Sequence, residues 1–409
     1  MPWDKEKLQQ SVWNYNDYDF SRQKAIEKYL QNVSFEEFCK QKQQKADAVK
    51  NSRDAKNALF GTEQKYPQCL DYSQIRADLQ DLKNYAVLIT AGGEGERLRL
   101  SLEKKGYSKT DLKNFTKATF PIPNTKFKFG ALEVNLKMIA ELSAALGYEI
   151  PVIITTGPKN SDTDKIIPQI LEENSNFGVK NLKVIAQNER FHLTNDDKIV
   201  FETDGENVKP VTNPDETGGP IVKLLEAQKD GESILENLKK TGAKKIIVLQ
   251  GTAVYSKRII PIIATAGLNF DGLGIGILRE KFLQDDPYGT FVLVKNHDNY
   301  NLRIVEKDVR TLRTYEIKDE NGKFLPYNTG FYVFDVGMLK NIQMPDYATP
   351  PKVILDGIEP SPKIGFAATD IIAFAKKPAV LTICGDDFRV IKNAEDIDGL
   401  AQIIKKFGL

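Results

Sequence analysis

Tyr85-Ala86-Val87-Leu88-Ile89-Thr90-Ala91-Gly92-Gly93-Glu94-Gly95-Glu96-Arg97-Leu98 is the stretch on which the reading of this chain turns. An apolar, β-branched run meets a glycine cluster, and a cation follows at once. That order predicts a buried parallel strand, a loop of phosphate-binding shape and a helix start. Glycines remove the Cβ atoms that would keep backbone N–H groups away from a phosphate or a base face. Arg97 adds a fixed charge with a planar fork of donors.

Taken alone, the stretch admits three readings. It can be a tight turn and nothing more. A dinucleotide-binding loop would need G-x-G-x-x-G, and Leu98 stands where the third glycine belongs. The third reading is a nucleotidyl-transfer pattern, A-G-G-x-G-x-R-L.

Whole-chain properties narrow the choice. A length of 409 residues predicts two or three structural units at about 150 residues each. Lys and Arg total 57 against 56 acidic residues, so no global basic field attracts nucleic acid or a membrane surface. Anion recognition must therefore be local. Cys39, Cys69 and Cys384 include no C-x-x-C pair, which argues against a zinc ribbon or a disulfide framework. The start, Met1-Pro2-Trp3-Asp4-Lys5, lacks the apolar core of a signal peptide, and no segment approaches the ~18 apolar residues of a membrane span. A cytosolic protein is expected, and a monomer is compatible with the sequence. Only His192 and His297 are present, which makes Ser-His-Asp or Cys-His nucleophilic chemistry hard to build. Both read as ordinary surface residues, since neither has a ligand-spaced partner.

Away from the central stretch, residues 1–80 read as a polar helical extension, with Ser34 as an N-cap and a Lys-, Gln- and Ala-rich run from Lys40 to Lys56. From residue 81 strands and helices alternate. Ala131 to Gly147 fits an amphipathic helix ended by glycine. Pro151 to Thr156, Leu182 to Ala186 and Lys245 to Gln250 read as buried strands, with helices starting at Ser161 and Ser233. More strands follow at Leu273 to Leu278, Thr290 to Val294, Leu302 to Val305 and Gly330 to Phe334. A helix is predicted over Ala367 to Lys377, a strand over Ala379 to Cys384 and a last helix from about Ala394. This alternation means a mostly parallel sheet covered on both faces, whose ligands collect at the carboxyl ends of its strands. The expected units are the extension 1–80, an α/β domain 81–345 and a small C-terminal portion 346–409.

Several segments in chain order then resemble the UDP-sugar pyrophosphorylase family. The central loop is similar to that family's nucleotide loop, with Ala91, Gly92 and Gly93 against the nucleotide. Lys117-Ala118-Thr119-Phe120-Pro121-Ile122 is similar to the lysine segment that contacts nucleotide phosphate. Gln187, followed by Lys198-Ile199, resembles its Q…K-I stretch. Pro214-Asp215-Glu216-Thr217-Gly218-Gly219-Pro220 resembles the P-D-G-x-G-G turn beside the uracil. Glu306-Lys307 and Asn328-Thr329-Gly330 match the patterns that hold the sugar. Thr369-Asp370 resembles a pair whose aspartate binds metal, and Phe388 to Ala394 resembles the F-x-P-V-K segment whose lysine, here Lys392, meets the sugar phosphate.

The resemblance implies a three-layer α/β sandwich with a mixed, mostly parallel sheet, of the nucleotide-diphospho-sugar transferase (GT-A-like) type. It implies transfer of a uridylyl group from UTP to a sugar 1-phosphate of glucose or N-acetylglucosamine type, with Mg²⁺. The nucleophile is already an anion, so catalysis reduces to positioning and charge neutralisation. Arg97 would serve the β,γ-phosphates, Lys117 the α-phosphate and Lys392 the sugar phosphate, with Asp370 the one named metal ligand. The sequence also departs from the pattern. The family's metal-binding aspartate after the central strand is missing from Val248-Leu249-Gln250-Gly251-Thr252-Ala253, and Glu96 stands where a threonine is usual. A weakly catalytic relative that binds nucleotide-sugar as a regulator or scaffold is the alternative. A glycosyltransferase ranks third, because Asp204-Gly205-Glu206 and Asp386-Asp387 substitute poorly for a D-x-D motif.

Overall fold

The computed structural model describes residues 2–59, 61–93, 95–108, 112, 115–204, 207–228, 231–349 and 361–407. The side chain of Glu96 and most of the Asp204-Gly205-Glu206 stretch lie outside the described residues. The chain forms two compact units that are not continuous in sequence: 1–58, 188–219 and 344–368 in the first, and 59–187, 220–343 and 369–409 in the second.

The second unit is built on a sheet of eleven described strands. In chain order these are β1 (Gln64–Lys65), β2 (Cys69–Asp71), β3 (Tyr85–Thr90), β4 (Val152–Pro158), β5 (Leu182–Gln187), β6 (Lys245–Gln250), β7 (Gly272–Ile277), β8 (Thr290–Asn296), β9 (Asn299–Val305), β10 (Tyr327–Asp335) and β11 (Pro378–Ile383). The main order is β2-β11-β7-β10-β6-β3-β4-β5, and β8 pairs with β1, β9 and β10. Strands β6, β3, β4 and β5 are parallel neighbours, while β10 runs antiparallel between β6 and β7. Helices α1 (Glu96–Lys104), α2 (Gly130–Leu146), α3 (Asp162–Glu173), α4 (Ile234–Lys240) and α5 (Ile259–Gly267), numbered within this unit, connect the strands.

The apolar run of β3 is what a doubly covered parallel strand requires. Tyr85 to Ile89 are all buried, and burying side chains such as Val87, Leu88 and Ile89 stabilises by about 1.5–3 kcal/mol each. Helix α2 ends as its sequence demands, with Gly147 at φ +62° in the left-handed region. Ser161 caps α3, and Ser233 with Glu236 forms a capping box on α4.

Strand register fixes which residues meet at the carboxyl edge. Thr90 lies opposite Gln250 on one side and Thr155 on the other, and Gln187 pairs with Pro158 past a bulge. Because β10 is antiparallel, its first residues, Tyr327 to Gly330, reach the same edge.

Three readings are corrected. The helix expected over 367–377 is one short α-helix, Ala368–Ile371, and a 3₁₀ turn, Ile372–Phe374; Ala375 is extended and Pro378 starts β11. The last helix begins at Leu400, after a 3₁₀ turn over Ala394–Ile397 that carries a capping box from Asn393 and Asp396. Within 1–80, Gln64–Lys65 and Cys69–Asp71 join the sheet as short strands at its margin.

The first unit holds helices Lys5–Ser11 and Phe20–Leu30 and the long helix that starts at Phe35, with short strand pairs Glu189–Phe191/Thr212–Pro214, Phe201–Asp204/Asn207–Pro210 and Tyr347–Thr349/Lys363–Gly365. A core of Leu8, Val12, Ile26, Leu30, Phe38 and Ile199 closes it. His192 belongs here and is buried, not exposed as its sequence context suggested. Its two ring nitrogens lie 3.0 Å from Asn213 Nδ2 and 3.1 Å from Ser361 Oγ. His297 is exposed, at φ +53° in the turn between β8 and β9. No helix among the described residues is long and apolar enough to cross a membrane.

Candidate active site

The glycine loop leaves β3 at the carboxyl edge and is clamped there by backbone bonds. Ala91 N–H donates to Thr155 O at 2.8 Å, and Gly251 N–H donates to Thr90 O at 2.9 Å. Ala91 is buried, whereas Gly93 is exposed with open space where a Cβ would point. Gly92 has no such space. A Cβ there would run into Gln187 Nε2 and lie 3.0 Å from Thr156 O, so glycine lets the side chain of Gln187 lie against the loop. Gln187 is buried and its Oε1 has no hydrogen-bond partner among the described residues, an acceptor that a ligand donor could satisfy.

Gly95 brings the first lysine to the loop. It sits at φ +83° as the N-cap of α1, and a Cβ on it would be 2.9 Å from Lys117 Cβ. Helix α1 thus begins beside Lys117, with its free N–H groups at the loop. Lys117 is half-buried and its pKa is lowered to about 8, by desolvation first and then by Arg97 and Lys392, with Asp396 opposing. Lys392 is half-buried too. Desolvation lowers its pKa and Arg97 adds to that, while Asp396, Glu306 and Asp286 pull the other way. Arg97, Lys117 and Lys392 are therefore one electrostatic cluster, gathered from three separate parts of the sequence. Asp396 anchors the turn carrying Lys392 by accepting from the backbone N–H groups of Lys392 and Asn393, both at 2.8 Å.

The sugar candidates divide. Glu306 is exposed, yet desolvation of its carboxyl raises its pKa; Asp308 and Asp370 add to that, and Arg310 and Lys392 oppose it. Gly289 makes room for that carboxylate, since a Cβ there would lie 2.8 Å from Glu306 Oε1. Asn328 Oδ1 accepts from Gly330 N–H at 2.9 Å, and Asn328 Nδ2 donates to Tyr332 Oη at 2.8 Å. Its amide is held in one orientation and has a second N–H with no partner among the described residues. Thr329 is buried and its hydroxyl donates to Ile275 O at 2.7 Å. Gly330, at φ +73°, lies flush against the side chain of Gln250. Lys307 is exposed and donates to Asp285 O at 3.1 Å.

Asp370 is a half-buried carboxylate whose pKa is raised to about 6 by desolvation, with Arg303 the opposing influence. It has no ion-pair partner among the described residues, Arg303 being the cation that acts on it. No group of three or more ligating side chains exists among the described residues. A Mg²⁺ held mainly by substrate phosphates would need no more than one such protein carboxylate.

Gly218 and Gly219 lie in the first unit, and both are buried. Gly218 N–H donates to Phe366 O at 2.7 Å, and a Cβ on it would be 2.8 Å from Phe366 Cβ. The turn is fastened by Arg190, whose Nε donates to Asp215 Oδ1 at 2.5 Å and whose Nη1 lies 2.8 Å from Asp346 Oδ1. Two further groups went unnoticed in the sequence. Gln250 drew notice only as a missing carboxylate. Tyr288 sits in the loop before β8 with its ring 4.3 Å from Lys392 Nζ; the Asp286-Pro287-Tyr288-Gly289 turn was the available signal.

No family model and no curated protein matches the chain by sequence. Among solved structures it is similar to the UDP-N-acetylglucosamine pyrophosphorylase from Trypanosoma brucei in complex with inhibitor, with TM-score 0.68 and 17% identity over 95% of this chain and 83% of that one. It is also similar to variants of the UDP-glucose pyrophosphorylase from Leishmania major. One gives TM-score 0.62 and 15% identity over 94% and 79% of the two chains. Another, in complex with UDP-glucose, gives 0.61 and 15% over 93% and 79%. At these identities the likeness speaks to architecture: the chain has the fold of the UDP-sugar pyrophosphorylases.

Proposed function

We propose that the protein is a uridylyltransferase that joins UTP and a sugar 1-phosphate of glucose or N-acetylglucosamine type, giving UDP-sugar and pyrophosphate. The observation that carries this reading is the cluster of Arg97, Lys117 and Lys392 beside the glycine loop, at the carboxyl edge of a sheet with this fold. The sugar phosphate oxygen attacks the α-phosphorus in line, a P–O bond forms, and the bond to the β-phosphate oxygen breaks with pyrophosphate as the leaving group. No proton has to be removed from the nucleophile, so the site needs cations and alignment more than a base. Arg97 neutralises the departing β,γ-phosphates, Lys117 the α-phosphate and Lys392 the attacking phosphate. Ala91, Gly92, Gly93 and Gln187 hold the nucleotide. Glu306, Lys307, Asn328, Thr329 and Gly330 supply the sugar side. Mg²⁺, held by Asp370 and the substrate phosphates, would add Lewis-acid charge neutralisation.

Two observations favour a second reading. The end of the central strand, Gln250-Gly251-Thr252-Ala253, has no carboxylate where the resembled family carries its metal-binding aspartate, and Glu96 replaces the usual threonine; both suit a protein that binds nucleotide-sugar with little turnover. The deciding experiment is pyrophosphate release from UTP over a panel of sugar 1-phosphates, with and without Mg²⁺. Release that needs one sugar phosphate and collapses in Lys117→Ala supports the transferase. Thermal stabilisation by UDP-sugar with no release from any nucleotide refutes it in favour of the binding protein.

A further inference from the structure

Lys392 is presented by an aromatic and charged scaffold whose residues are scattered over the second unit. Tyr288 lies under its ammonium, with Nζ 4.3 Å from the ring centroid. The ring is itself fixed by stacking on Tyr327, centroids 4.7 Å apart and planes 26° apart. The backbone of the same turn is held by two arginines. Arg279 Nε donates to Asp286 Oδ2 at 2.7 Å and its Nη2 donates to Tyr288 O at 3.2 Å. Arg310 Nη1 donates to Asp286 O at 2.8 Å, and its Nη2 also donates to Tyr288 O. Asp286 Oδ1 accepts the N–H of Tyr288 at 2.9 Å, which closes the turn. Arg279 is buried, so this network is shielded from water and its bonds are stronger than surface ones.

The next residue ties the same turn to the sugar candidates. Gly289 O accepts from Asn328 N–H at 2.8 Å, and Gly289 is the position whose missing Cβ leaves space for Glu306. One rigid turn therefore sets Lys392 through an aromatic face, and Glu306 and Asn328 through backbone contact. A lysine on a four-carbon stem is otherwise free to sample many positions. An ammonium half-buried over a ring is both located and stabilised by it.

We propose that Tyr288 is a positioning residue for the anion bound by Lys392. Its ring holds the ammonium where the phosphate of the sugar 1-phosphate is received, which makes it specific to that substrate and indifferent to UTP. This rests on the uridylyltransferase reading for the identity of the anion. The cation–ring contact itself does not depend on that reading.

The test replaces Tyr288 by phenylalanine and then by phenylalanines of rising fluorine content, which keep the ring's shape and weaken its negative face. Two quantities are read on the full-length protein: KM for glucose 1-phosphate and for UTP, and the Lys392 pKa from NMR of the methylated amine, assigned with Lys392→Met. Tyr288→Phe should behave as wild type. Along the fluorinated series KM for glucose 1-phosphate should climb by about 3- to 30-fold, the range of a desolvated cation–π contact. The Lys392 pKa should fall in step, while KM for UTP stays constant. A Lys392 pKa indifferent to fluorination overturns the proposal, and so does an equal rise in both KM values. Wild-type protein with no turnover refutes the uridylyltransferase reading before any variant is made. In that case, a Lys392 signal that shifts with glucose 1-phosphate, and shifts less along the series, still supports Tyr288, and a signal that glucose 1-phosphate leaves unmoved overturns it.

Discussion

Binding of UTP should draw a proton onto Lys117, and the structure sets how much. The Lys117 pKa is lowered to about 8 because the amine is desolvated and feels the charges of Arg97 and Lys392. At about pH 8 roughly half of the free protein carries the ammonium. Phosphate at the same place supplies the missing counter-charge and returns the group to full protonation. The linked uptake is then about 0.1 proton near pH 7, about 0.5 near pH 8 and about 0.9 near pH 9. Isothermal titration with UTP in buffers of different ionisation enthalpy measures it directly, since the triphosphate is already fully ionised at the upper two pH values. Lys117→Met should remove most of the buffer dependence, and Lys392→Met shows what the second depressed lysine adds. If UTP binds with identical heats in every buffer at pH 8 and 9, Lys117 does not meet the nucleotide phosphates.

The same group makes a stability prediction whose sign is fixed. The folded pKa of Lys117 lies below its ordinary value of 10.5, so the unfolded chain binds more protons between about pH 8 and 10.5. Stability should rise with pH across that window. Below it the buried charge withholds at most about 3 kcal/mol from the fold. Lys117→Met should therefore raise the melting temperature at neutral pH while it abolishes transfer, the trade expected of a strained functional charge.

Four further outcomes follow. Arg190→Met leaves Asp215 and Asp346 buried without their cation, and should cost about 3–5 kcal/mol in denaturant unfolding; a loss under about 1 kcal/mol would contradict the pairing. Burial holds the His192 pKa below 6.5, with Lys363 and Lys45 adding to the effect, so the unfolded chain takes up the proton first as pH falls. Stability should drop as pH falls below about 6.5, and melting curves of His192→Gln should lose that slope. Gly92→Ala drives a methyl into Gln187 and should raise KM for UTP about tenfold, equivalent to 1.4 kcal/mol, with the sugar phosphate KM unmoved. Asp370→Asn should raise the Mg²⁺ needed for half-maximal rate about tenfold or more, read from rates at fixed substrate.

How far the sequence reaches depends on whether a feature is local. Tyr85–Thr90 and Lys245–Gln250 were legible because an apolar run with turn signals at its ends has one stable burial. The caps at Ser161 and Ser233 were legible because a cap is a contact across three residues. His192 was not, because its burial depends on Asn213 and Ser361, 21 and 169 residues away. The helix over 367–377 was overextended because composition favoured it, whereas Ala375 and Pro378 obey the neighbouring strand. Arg279, Asp286 and Arg310 look like surface charges in sequence, and only the closure of the loop onto β10 turns them into the support of Tyr288. The resemblance supplied Lys117 and Lys392 as separate segments; the structure sets Lys117 against Gly95 of the loop, where the charges of Arg97 and Lys392 reach it.

In the proposed reaction that cluster takes the place of a base. Two lysines whose proton affinity is lowered by desolvation and by the nearby charge of Arg97 are poorly compensated in the free protein, and the shortage of negative charge is an affinity for anions prepared in advance. A carboxylate at Gln250 would relieve part of that shortage, since the residue stands at the strand end opposite Thr90, where the loop begins. The amide instead donates to Thr329 O at 3.4 Å, lies flush against Gly330 and leaves the charge of the lysines intact. In the proposed transferase, phosphate neutralisation would then fall more on side-chain cations and less on a metal at the central strand. On this argument Gln250→Asp should weaken the proton uptake at Lys117 while it strengthens the dependence on Mg²⁺, two changes of opposite direction from one substitution. An unchanged proton uptake in Gln250→Asp would separate the strand end from the phosphate site and dissolve the argument.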